Sequence, residues 1–520
     1  MTRKPLLLLF LVAAPLWARD NSSAWMQVRS EHFTVVTDSG EKQGRRVADQ
    51  FERMRWAFQA LFPHMQVDPV APITVVAVRN ARDFQALEPA AYLGKGKLEL
   101  AGYFLRTEDK NYILVRLDVP DEQHPYATVY HEYTHLELGD AIAWMPLWLN
   151  EGLAEFFQNT ELEEKTVRLG EPSRDNLLLL QQNSLIPLQT LFRIDATSPY
   201  YHEEHKGSIF YAESWALTHM LETSDAQNHT TRVATYARLV SQHQDPVTAA
   251  EQAFGDLKRL QQDLEAYTHR GAYQYFRLTT QPINEAAFQV SSLPEPRADA
   301  LRADFLARIG RSDDARALID AVFKADPKNV LARETLGYLA FREGKLDEAK
   351  KWYGEAVDLD SRSYLAQYYF GALSLMKGDS SAPVEASLLK CISINPRFAP
   401  AYDALAGIYA RHSDNDKAYQ LIVQAIQLEP GNVQYRINQA NVLVAQQRFD
   451  EAAKVLEAAQ AAAKTPETAE AARLHLQRVH EARQQAEETR RRIAAFQAQP
   501  EVAHEATVVT STTGINGEPL

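Results

Sequence analysis

The sequence predicts a mixed α+β domain followed by an all-α array of helical repeats, and three observations predict it. β-branched runs such as Ile73-Thr74-Val75-Val76-Ala77-Val78 give way after Pro125 to helical periodicity. From about Pro294 onward the chain reads as nearly continuous helix in short units, with like residues recurring at a spacing of 34. At 520 residues it is longer than one hydrophobic core usually serves, so two or more domains are expected.

The N-terminus stands apart from both regions. Arg3 and Lys4 precede an almost wholly apolar stretch from Leu6 to Trp17, and Ala18 offers a small residue for cleavage. That layout reads as a secretory signal peptide over residues 1–18. The run is shorter than the ~20 residues a membrane-spanning helix needs. With no second run of spanning length, the expectation is an exported chain, periplasmic or secreted, with no transmembrane segment after signal removal. Cys391 is the single cysteine, which excludes an intrachain disulfide. Hydrophobic residues at 45% and charged residues at 24% are ordinary for a globular protein. A formal charge of −13 excludes the basic face that nucleic acid binding requires.

The α+β domain is expected over residues 25–285. Phe33-Thr34-Val35-Val36-Thr37 alternates like a strand and leads into a helix around Gly44 to Phe62, and Ile73 to Val78 is a second strand. Leu100 to Phe104 and Tyr112 to Leu117 form a hairpin with its turn at Thr107 to Lys110. Beyond Pro125 the pattern stays mainly helical as far as a linker around Pro294 and Pro296.

The repeats are expected over residues 295–463. Pro396 and Pro430, Ala418 and Ala452, and Gly337 and Gly371 each lie 34 apart. Small residues let paired helices approach, and the proline ends the second helix of a unit. The phrases Leu346-Asp347-Glu348-Ala349, Asp416-Lys417-Ala418 and Phe449-Asp450-Glu451-Ala452 resemble tetratricopeptide repeats. The resemblance implies a solenoid whose concave surface takes a peptide or protein partner. Residues 464–497 read as one polar capping helix, and 498–520 as a disordered tail.

Chemistry concentrates in His131-Glu132-Tyr133-Thr134-His135. Residues four apart share a helix face, so both imidazoles can reach one ion. Glu132 sits about 100° round the helix, beside the ion, where it can take a proton from water. A catalytic zinc needs a third protein ligand and an open position. Downstream, Trp148-Leu149-Asn150-Glu151-Gly152-Leu153-Ala154-Glu155-Phe156-Phe157 places two carboxylates four apart on an otherwise apolar helix. Burying them is costly without partners. Glu151 is therefore assigned as the third ligand of one Zn2+ per chain, and Glu155 as the carboxylate that orients a histidine. His124, His219 and His229 read as surface or packing residues, and Trp144, Trp148 and Trp215 as core.

Together the two phrases resemble the gluzincin clan of metallopeptidases, in particular its bacterial peptidase MA-like members, and Ser30 to Thr37 is similar to the same group. The resemblance implies a thermolysin-like metallopeptidase domain ahead of the tetratricopeptide solenoid. It also implies an edge strand at Leu100 to Phe104 that pairs with a peptide substrate. Tyr211-Ala212-Glu213-Ser214-Trp215 resembles the helix start that supplies the clan's transition-state donor, so Tyr211 is the candidate, with His202 and His205 as rivals. Two departures stand out: only fifteen residues separate His135 from Glu151, and Ser214 replaces a glycine. The competing expectation is a catalytically inert domain of the same shape on a protein-binding scaffold.

Overall fold

The computed structural model describes residues 24–63, 71–93, 100–119, 126–139, 145–163, 165–195, 197–201, 208–280, 283 and 285–497. The signal peptide, the C-terminal tail, His124, Trp144, His202 and His205 lie outside them. The chain forms two compact units that divide between Lys345 and Leu346.

The first unit opens with β1 (Met26–Arg29), β2 (Phe33–Thr37), α1 (Glu41–Leu61), β3 (Ile73–Val78), α2 (Ala81–Gln85), β4 (Gly102–Arg106) and β5 (Asn111–Arg116). Next come α3 (Ala127–Leu138), α4 (Leu147–Gln158), the short β6 (Glu161–Leu162) and β7 (Thr166–Leu169), then α5 (Arg174–Gln182) and α6 (Leu188–Leu191). The helices α7 (Ile209–Asn228), α8 (Arg232–Ser241), α9 (Pro246–Phe254) and α10 (Leu257–Thr268) lead to β8 (Phe276–Thr279) and β9 (Gln289–Ser292).

Among the described residues the main sheet has the order β4-β5-β3-β2-β1-β9. β2, β3 and β5 run parallel, with Val35 beside Val75 and Val75 beside Ile113, while β4 closes one edge as an antiparallel hairpin with β5. Strand alternation sends Phe33, Val35, Val75 and Ile113 to one face, where they join Phe51 and Phe58 of α1 and Tyr130 and Tyr133 of α3 in a single core. Tyr133 packs on Phe33 with ring centres 5.8 Å apart, and Tyr130 meets Phe51 at 6.2 Å. These anchors fix the rotation of α3 and so decide which of its side chains remain free for chemistry.

The opposite face of the sheet is covered by α11 (Glu295–Arg308), followed by α12 (Ser312–Ala325) and α13 (Val330–Arg342), all within the first unit. Phe305 stands edge-on to Tyr112 at 5.7 Å. Beside it lies a buried charge cluster. Asp304 accepts hydrogen bonds from Tyr112 Oη at 2.6 Å, Thr335 Oγ1 at 3.0 Å and Arg308 Nε at 3.1 Å, and pairs with Lys110 Nζ at 3.3 Å. Arg308 also reaches Asp109 at 3.0 Å. Burial alone would raise the Asp304 carboxyl, but Arg308 and then Lys110 outweigh it and hold it far below the usual range.

One sequence expectation changes here. The residues around Pro294 are not a linker: β9 pairs with β1, and Pro294 and Pro296 start α11, where a missing N–H costs nothing. The region after Pro125 is mainly helical, and among the described residues it also contributes β6 to β9, with β8 paired to β7 and β9 in the main sheet. β8 and β9 have four residues each: β8 alternates Phe276 and Leu278 with Arg277 and Thr279, and β9 carries Val290 as its one apolar residue.

The second unit is all helix: α14 (Leu346–Asp358), α15 (Tyr364–Met376), α16 (Ala382–Ile394), α17 (Ala399–Arg411), α18 (Asn415–Leu428), α19 (Val433–Ala445), α20 (Phe449–Ala461) and α21 (Pro466–Gln497). The turns after α15, α17 and α19 each place one residue in the left-handed region: Gly378 (φ 84°), Ser413 (φ 62°) and Gln447 (φ 59°). Gly371 permits close packing of α15 on α16, since a Cβ there would lie 2.6 Å from the Leu388 side chain. α21 buries only Ala472 and Val479, consistent with a solvated cap. No described helix is long and apolar enough to cross a membrane.

Candidate metal centre

α3 and α4 pack side by side and carry the residues singled out in the sequence. On α3, Val129, Tyr130 and Tyr133 enter the core, which turns His131 and His135 toward α4. On α4, Trp148, Leu149, Leu153 and Phe157 enter the core and leave Asn150, Glu151 and Glu155 facing the imidazoles. Gly152 faces α7: a Cβ there would meet the Ser214 carbonyl oxygen at 2.5 Å, so the crossing requires glycine.

Three donor atoms form a near-equilateral triangle. His131 Nε2 and His135 Nε2 are 3.2 Å apart, and Glu151 Oε2 lies 3.4 Å from the first and 3.3 Å from the second. The other ring nitrogens are occupied. His131 Nδ1 faces Glu155 Oε1 at 3.3 Å, and His135 Nδ1 faces Asn150 Oδ1 at 2.5 Å. Both outer partners are acceptors, so hydrogen-bond logic assigns each ring proton to Nδ1 and leaves the two Nε2 lone pairs pointing inward. Glu155 is itself held by Asn176 Nδ2 at 2.8 Å.

The geometry fits a tetrahedral ion. Zinc bonded to nitrogen and oxygen at ~2.0–2.1 Å separates neighbouring ligand atoms by roughly 3.3–3.4 Å. Glu151 Oε2 is buried without a well-directed hydrogen bond, although it lies against two ring nitrogens. Three converging acceptors with no proton among them repel one another, and a cation at their centre removes that cost.

Glu132 is half-buried on the neighbouring face of α3. The Tyr103 phenol on β4 has a raised pKa, from burial first, then Tyr92, then the charge of Glu132, which puts that carboxylate on the side of α3 nearest the edge strand. Tyr211 is buried in α7 and reaches the centre through Tyr201: their rings lie 6.1 Å apart, and Tyr201 Oη donates to Glu151 Oε1 at 3.4 Å. Sequence reasoning missed Tyr201, Asn150 and Asn176. Asn150 had a usable signal, adjacency to Glu151; Tyr201 and Asn176 had none. His219 is a packing residue, bonded to Tyr267 Oη at 2.5 Å and the Gly170 carbonyl at 2.8 Å, and burial pushes its pKa down to about 4.

The chain carries tetratricopeptide repeats: that family's model matches residues 301–364 and 404–466. A second model, described as a protein of unknown function (DUF1570), matches residues 125–244, the stretch that holds α3, α4 and α7. No curated protein matches the chain. Solved structures similar to it include MamA (24% identity over 32% of this chain and 91% of that one, TM-score 0.29). Others are YrrB, titled a TPR protein with an unusual peptide-binding site (16%, 34% and 90%, TM-score 0.31), and a thermophilic TPR protein from Thermus thermophilus (20%, 35% and 98%, TM-score 0.25). The class defined so far is a mixed α/β unit with a candidate metal centre, joined to tetratricopeptide repeats of the kind that bind proteins.

Proposed function

We propose that the first unit is a zinc-dependent peptidase of the gluzincin kind, thermolysin-like in arrangement, and that the repeats hold its protein substrate or a protein partner. The observation that carries this reading is the triangle of His131, His135 and Glu151, whose outer protons are fixed by Glu155 and Asn150. Those three residues would hold one ion, which supplies a Lewis acid that polarises a carbonyl and acidifies water. Glu132 accepts the proton of the attacking water and delivers it to the leaving amine nitrogen.

β4 binds the substrate backbone. The Arg116 N–H donates to the Ala101 carbonyl and the Thr107 N–H to the Lys110 carbonyl, so the alternate residues Gly102, Phe104 and Arg106 aim their main-chain groups away from β5. An extended peptide can pair with that edge beside α3. For the oxyanion, the phenol of Tyr201 is better placed than that of Tyr211, because it already meets a ligand of the triangle. A half-exposed carboxylate beside the triangle favours turnover over a closed structural site, which has no use for a base.

Cleavage of a quenched mixed peptide library by zinc-loaded protein tests the proposal. Wild type cleaves and a chelator stops it. Glu132→Gln keeps its zinc and loses about 10²–10⁴-fold in rate. Undiminished cleavage by the variant contradicts the role of Glu132, and zinc-loaded wild type that cleaves nothing favours the inert scaffold. Export belongs to the same proposal: N-terminal sequencing of the mature protein is expected to begin at Arg19, and a chain beginning at Met1 contradicts it.

A further inference from the structure

In the second unit α15, α17 and α19 lie side by side as the first helices of successive pairs, and a groove of about 360 Å³ opens along them. That volume accommodates one or two side chains of an extended peptide. The α17 wall includes the small residues Ala404, Gly407 and Ala410, while α19 brings Asn438 and Asn441. Asp403 belongs to this lining, and its Oδ1 accepts from Asn438 Nδ2 at 2.7 Å.

Some acids of the unit are matched by cations, and Asp403 is not among them. Asp347 is matched by Lys377 at 2.8 Å, Asp450 by Arg483 at 2.6 Å and Asp360 by Lys390 at 3.4 Å. Asp403 has no cation among the described residues: burial raises its carboxyl and only the Asn438 amide opposes that. The lining does contain Arg411, but its guanidinium turns to the Leu375 carbonyl at 3.3 Å. A half-buried carboxylate with only an amide beside it presents negative charge to the groove, which a ligand cation complements.

We infer that this groove binds an extended peptide segment through one lysine or arginine, whose cation pairs with Asp403 while the exposed Asn441 amide meets the peptide main chain. A peptide that offers a carboxylate at the same position meets like charge and is rejected. The inference deepens the protein-binding role of the repeats and is independent of the metal centre.

The test uses the full chain carrying Glu132→Gln, so that hydrolysis does not consume the probe, against a bead-displayed random heptapeptide library. The expected result is enrichment of lysine or arginine at one position, lost when Asp403→Asn is added. A fluorescein-labelled copy of the selected peptide then binds Asp403→Asn at least about tenfold more weakly, as loss of a charge-assisted bond implies. Replacing its basic residue by norleucine costs the same on the unaltered groove and nothing further on Asp403→Asn. Asn441→Ala, a change at an exposed position, weakens the peptide without altering the basic preference. Enrichment of acidic residues, no enrichment, or independent effects of Asp403→Asn and norleucine overturn the inference. Far-ultraviolet melts of both variants separate loss of binding from loss of fold.

Discussion

The orientation of two imidazoles depends on what their outer nitrogens touch. Glu155 and Asn150 fix the tautomers of His131 and His135, and Tyr201 holds Glu151 Oε1 so that Oε2 faces the rings. Removing such outer partners typically weakens a metal site about 10–100-fold. Glu155→Ala is therefore expected to lower zinc affinity by that order in competition with a chromogenic chelator, and Tyr201→Phe by about tenfold. Affinities equal to wild type would show that the ligands hold their geometry unaided. A second titratable residue acts on stability. Glu213 is fully buried in α7 and accepts from the Ile186 N–H at 2.6 Å, and burial pushes its pKa up to about 8 from 4.5. Because the folded pKa is the higher one, the folded state keeps a proton that the unfolded chain has released. The resulting stability is complete below the unfolded pKa and is lost as pH rises through 8. Thermal melts of zinc-loaded protein should fall as pH rises toward 8 and level off above it, and Glu213→Gln should flatten that fall. An identical slope in the variant would remove Glu213 as its cause.

At the scale of elements, the centre depends on the close crossing of α4 and α7 and on the clamp that α11 places on the β4–β5 hairpin. Gly152→Ala pushes a methyl group against a backbone carbonyl and is expected to cost about 1–3 kcal/mol in unit stability. A melting temperature equal to wild type would show that the crossing can widen freely. Truncation after Lys345 keeps the first unit whole, and this form should bind zinc like the full chain. Truncation after Leu293 removes α11, uncovers Tyr112 and leaves Asp109 and Lys110 without Asp304 and Arg308, so it should aggregate or melt early. A soluble, zinc-binding form ending at Leu293 would contradict this. The strands β2, β3 and β5 were legible from their β-branched and apolar runs, and the helix pair α3 and α4 from imidazoles and carboxylates recurring four residues apart. The clamp was not, because Asp304 and Arg308 read as ordinary charges on a repeat helix. Only their distant partners on the hairpin turn reveal why they are buried.

Across the molecule, what could be read from the sequence tracks how local the signal is. His131, Glu132 and His135 lie within one turn and a half of helix, and the repeats restate themselves every 34 residues. Tyr201 lies fifty residues from Glu151 and depends on a loop whose path no local pattern encodes. The join around Pro294 was read as a linker for the same reason, since β9 and α11 are defined by what they pack against. The most direct measurement on the central claim is zinc content and zinc K-edge absorption of the purified full chain beside Glu151→Ala. The account predicts one zinc per chain, surrounded only by nitrogen and oxygen with two imidazoles among them, and a marked loss of metal in the variant. A wild-type chain without zinc, or a Glu151→Ala chain that keeps it fully with the same surroundings, would contradict it.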